Sequence, residues 1–198
     1  MQRVPINPEA IELLSQIAPG QLDRERITEA DIFLACLVWV LLGTLFVDGK
    51  IEHLETQLLQ AVLDRLIEPD SDRDRFLQAI LTGIHQKKLD RRLDDLPVLS
   101  ASLSVAEKLL IVGFGCQMSS ADGTIHLKER QYLGAIASHL QVNHTYLRVL
   151  EASFGGSEEI DDRALREVCD LLDPDRFPSP HSVFVKAARY LRELLLAH

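Results

Sequence analysis

One motif is written twice in this chain. Asp48-Gly49-Lys50-Ile51-Glu52-His53-Leu54-Glu55 returns as Asp122-Gly123-Thr124-Ile125-His126-Leu127-Lys128-Glu129. Both copies read D-G-x-I-x-x-x-E, and their flanks match at the same offset. Val38 pairs with Val112, Gln57 with Gln131, Leu59 with Leu133, Ala61 with Ala135 and Leu66 with Leu140. An internal repeat constrains architecture more than any single residue does, because each copy marks the same supersecondary unit.

The periodicity around both copies is helical. Thr28 can cap a long apolar helix running to about Phe46, with Asp31 near its positive end. The motif then turns the chain into a helix over about 52–67, and another follows over about 72–86. In the second copy, Ser104-Val105-Ala106-Glu107 is a capping box that opens a helix over 105–120. Helices over about 127–140 and 143–154 follow, the last ended by Gly155-Gly156. A first helix over 8–18 precedes the repeats, and helices over about 161–172 and 181–196 follow them. Between the repeats, 87–103 is the least periodic stretch, with a short helix expected near 89–96 and Pro97 interrupting it. No strand signal appears. The expected fold is all-α, a helical bundle of two pseudo-symmetric repeats with a C-terminal helical appendage. The expected divisions are 1–27, 28–156 and 157–198. Gly113, Gly115, Cys116 and Ser119 make the 105–120 helix narrow, and its bulky neighbour is expected to be the helix carrying Trp39 and Phe46.

Net charge is −9, with a pI near 5.2. That sign repels phosphate backbones and disfavours broad nucleic-acid binding, while it suits cations and basic protein surfaces. Cys36, Cys116 and Cys169 form no CxxC, which fits reduced thiols and a cytoplasmic setting. The first residues carry no apolar signal core. The uncharged run 32–47 falls short of the roughly 20 residues of a bilayer span. It is expected to be a helix buried on most faces, with a membrane-inserted hairpin as the alternative.

Three chemistries suit the repeated motif. D-G-x-I-x-x-x-E is the second half of an EF-hand loop, which also needs oxygen ligands upstream. Those positions hold Thr44 and Phe46 in the first copy and Met118 and Ser120 in the second, so a standard calcium loop is not expected. A purely structural device explains every repeated position: Gly turns, Asp caps, Ile anchors and Glu bonds back to turn amides. A non-EF metal site is the third reading. Asp122, His126 and Glu129 share one helical face if the helix starts early, Glu52 matches His126 in position, and His and carboxylate ligands together suit zinc or another divalent ion.

Elsewhere the chemistry is thin. Cys169 has no paired histidine in register, and Ser119-Ser120 lack a nucleophile elbow. The Lys87, Lys88, Arg91 and Arg92 cluster reads as a solvated linker face.

The segment Ser120-Ala121-Asp122-Gly123-Thr124-Ile125-His126-Leu127-Lys128-Glu129-Arg130, set after a small-residue helix, resembles the tellurite-resistance TerB family. That fold also includes the N-terminal domain of DjlA-type co-chaperones. The resemblance spans roughly 28–154; the first copy departs from it, with Phe46-Val47 in place of small residues and Thr56 in place of a basic one. It implies two similar helical units, divalent-metal binding by Asp48, Glu55, Asp122 and Glu129, and association with membrane-linked stress-response complexes. The expected function is a non-catalytic interaction module with a protein partner, responsive to a divalent cation, in a stress-response or peripheral membrane assembly. The alternatives are a metal-dependent enzyme with a carboxylate and His126 site at the repeat interface, and a membrane adaptor using 32–47.

Overall fold

A computed structural model describes residues 6–18, 23–47, 53–87, 92–156, 160–178 and 182–197. Among the described residues there are ten α-helices and short 3-10 turns, and no strand. The helices are α1 (Pro8–Ile17), α2 (Glu29–Phe46), α3 (His53–Leu66), α4 (Asp72–Lys87), α5 (Leu96–Leu99), α6 (Val105–Ser119), α7 (Leu127–His139), α8 (His144–Gly155), α9 (Asp162–Leu171) and α10 (Val183–Leu196).

Two helices form the centre. Every residue from Ile32 to Leu41 in α2 is completely buried. A helix that is apolar on all sides must be surrounded, by protein or by lipid. By length and composition α2 is apolar enough to cross a membrane. In this fold its apolar surface is covered by other helices, and α6 makes the most extensive contact with it. Helix α6 is buried from Leu109 through Ser119.

Capping fixes where both central helices begin. The Thr28 amide donates to Asp31 Oδ2 at 2.9 Å, and the Asp31 amide donates to Thr28 Oγ1 at 3.4 Å. At α6 the Ser104 amide donates to Glu107 Oε2 at 2.7 Å, and the Glu107 amide returns a bond to Ser104 Oγ at 3.3 Å. Each box satisfies two amides that a helix start otherwise leaves open.

The remaining helices pack around this pair. Helix α4 lies on α2 and α8 on α6, while α3 touches α6 and α7 touches α2. Glycines decide two close approaches. A Cβ on Gly83 of α4 would stand 2.0 Å from the Ile17 carbonyl oxygen, so only glycine lets α1 end against α4. A Cβ on Gly115 would stand 3.3 Å from Val40 Cγ1 and 2.9 Å from Leu133 Cδ2. The narrow helix therefore does meet α2, the helix that carries Trp39 and Phe46, with Val40 beside Gly115.

The described residues of 160–197, read from sequence as an appendage, share one buried core with the preceding helices. Helix α10 packs on α3, α6 and α8, and Leu191 fills the space beside Gly113, whose Cβ would stand 2.3 Å from Leu191 Cδ2. Phe184 of α10 meets Phe33 of α2 edge-on, with ring centroids 5.1 Å apart. Phe177 stacks on Phe184 from the preceding connector.

The linker also differs from expectation. Its short helix is α5 at Leu96–Leu99, later than 89–96, and Pro97 sits in the first turn, where a missing N–H costs nothing. Residues 88–91 lie outside the described residues. Lys87 donates to the Gln16 carbonyl of α1 and Arg92 pairs with nearby Asp95, so both flanking cations have partners.

Candidate functional site

The second motif copy forms the corner between α6 and α7. Helix α6 ends as the Ser120 amide bonds back to the Cys116 carbonyl at 3.1 Å. The Gly123 amide then bonds to the Ser120 carbonyl at 2.8 Å, with φ +93° at Gly123. An L side chain is strained in that region, which explains the glycine.

Asp122 organises the turn. Its Oδ1 accepts from the Thr124 amide at 3.0 Å and from Thr124 Oγ1 at 3.3 Å. Its Oδ2 lies 3.0 Å from His126 Nε2. The Thr124 amide, followed by the His126 contacts, holds the Asp122 carboxyl below its ordinary range, because these partners favour the charged form.

Glu129 lies on the inner side of the corner. It is 7% exposed, and its Oε2 accepts the His126 amide hydrogen at 2.8 Å. This is the carboxylate half of a capping box at the start of α7. Ile125 is also buried and packs on Gly155, where a Cβ would stand 3.4 Å from Ile125 Cγ1. The motif thus divides into buried Ile125 and Glu129, which fix the corner, and exposed Asp122, His126 and Leu127. Met118, which a calcium loop would need as a ligand position, is buried within α6.

The fit to a metal ion follows from the donors. Asp122 Oδ2 and His126 Nε2 are close enough to bind one divalent ion at ligand distances of about 2.0–2.2 Å. Glu129 is held by the His126 amide and does not join them. Among the described residues no group of three His, Cys, Asp or Glu side chains is gathered for a metal. A resident zinc takes three or four protein ligands. The corner therefore does not fit a resident metal cofactor. Asp48 lies outside the described residues, as do Glu52 and the side chains of His53 and Glu55.

Other polar features lie away from the motif. A groove of about 750 Å³ opens between the starts of α2 and α4, lined by Arg26, Asp31, Asp72, Arg73, Arg75 and Phe76 among others, and by none of the described motif residues. Glu151 on α8 is buried. The Cys116 thiol is pushed well up, by its own burial first and by the Glu151 charge second. On α10, Tyr190 accepts from Gln117 Nε2 at 2.8 Å and carries the Arg65 guanidinium 4.4 Å from its ring centre. Helical periodicity places each of these side chains on a face, but it contains no signal for which distant helix supplies the partner.

No protein-family model matches this chain, and no curated protein and no solved structure does.

Proposed function

We propose that this protein is a non-catalytic, TerB-like helical interaction module that engages a protein partner through its α6–α7 corner. The observation that carries this reading is the exposure pattern of that corner. Leu127, at the first position of α7, is 72% exposed beside the exposed Asp122 and His126 pair. A large apolar side chain next to a paired carboxylate and imidazole has the makings of a small contact surface with an apolar anchor and a polar rim. Glu129 and Ile125 hold that surface rigid from beneath.

The resemblance of 120–130 to the TerB family supports placing the module in a stress-response or membrane-associated assembly of the cytoplasm. The net charge of −9 favours a basic partner surface and opposes nucleic acid. In this reading a divalent cation bound by Asp122 and His126 tunes the corner rather than performing chemistry. No catalytic role is assigned to any residue.

Affinity capture from the native host, followed by identification of the captured proteins, tests the proposal. Leu127→Asp should lose the partner, while Val105→Asp should keep it. Val105 is 54% exposed at the start of α6, away from the corner. Equal capture by the wild type and both variants would overturn the assignment of the surface.

A further inference from the structure

We draw no further inference here: the strongest candidate, the groove between the starts of α2 and α4, has its Arg73 and Arg75 paired with its own Asp31 and Asp72, and nothing in the structure shows what would occupy it.

Discussion

The Glu129 carboxylate accepts the amide hydrogen of His126 at 2.8 Å while remaining 7% exposed. A repeated glutamate that looks from sequence like a metal ligand is thereby occupied as a helix cap. Losing that cap leaves the His126 amide open and a cavity under the corner. Glu129→Ala should destabilise the fold by about 1–2 kcal/mol in chemical denaturation. Glu129→Gln keeps an acceptor oxygen and should cost less than half of that. Glu107→Ala should behave like Glu129→Ala, because Glu107 caps α6 in the same way and is equally buried.

The glycines separate by what surrounds them. Gly83→Ala drives a Cβ into the Ile17 backbone, which cannot step aside as a side chain tip can. The expected cost is about 3 kcal/mol or more, read from thermal or denaturant unfolding. Gly113→Ala meets the Leu191 side chain first, nearest at its Cδ2 tip, and should cost roughly 1–2 kcal/mol. Gly134 lies inside α7 with nothing within 4 Å of an added Cβ. Gly134→Ala should therefore stabilise by roughly 0.5–1 kcal/mol, through helix propensity.

Asp122 titrates below its ordinary value in the folded protein. A carboxyl with a lowered folded pKa contributes stability above its unfolded pKa, and this is lost as pH falls through the folded value. NMR titration of the Asp122 carboxyl should place its midpoint below 3.8. His126→Ala should leave most of that depression, because the Thr124 amide is its largest cause. A midpoint that returns to 3.8 in His126→Ala would show that the imidazole, not the turn, sets it.

The three cysteines should differ in reactivity. Burial pushes the Cys36 and Cys116 thiols far up, and both are completely inaccessible. Cys169 is half-buried, its rise opposed by Arg192. Thiolate fraction and access both govern modification. A thiol reagent added to the native protein should modify Cys169 alone, and Cys169→Ser should abolish the native reaction.

Much of this fold is legible in the sequence because its signals are local. Thr28 and Ser104 caps, the Asp122-Gly123 turn and the Gly156 stop each act within a few residues. The all-α class follows from them. The place of α10 is not legible, because Gly113 and Leu191 are far apart in sequence and a small residue does not name the helix that it admits. The candidate site is half legible. Residue types at positions 122, 126 and 129 point to shared ligation, but side-chain direction decides that, and the cap turns Glu129 toward the backbone.

The central claim divides one motif into a structural glutamate and an exposed aspartate–histidine pair. Calorimetric titration of zinc into four proteins tests it: the wild type, Asp122→Ala, His126→Ala and Glu129→Gln. Mixed imidazole and carboxylate donors favour zinc over calcium. We expect saturable binding to the wild type, lost in Asp122→Ala and His126→Ala and retained in Glu129→Gln. Absence of saturable binding to the wild type would overturn the cation role proposed for the pair, and loss of binding in a folded Glu129→Gln protein would contradict the division itself.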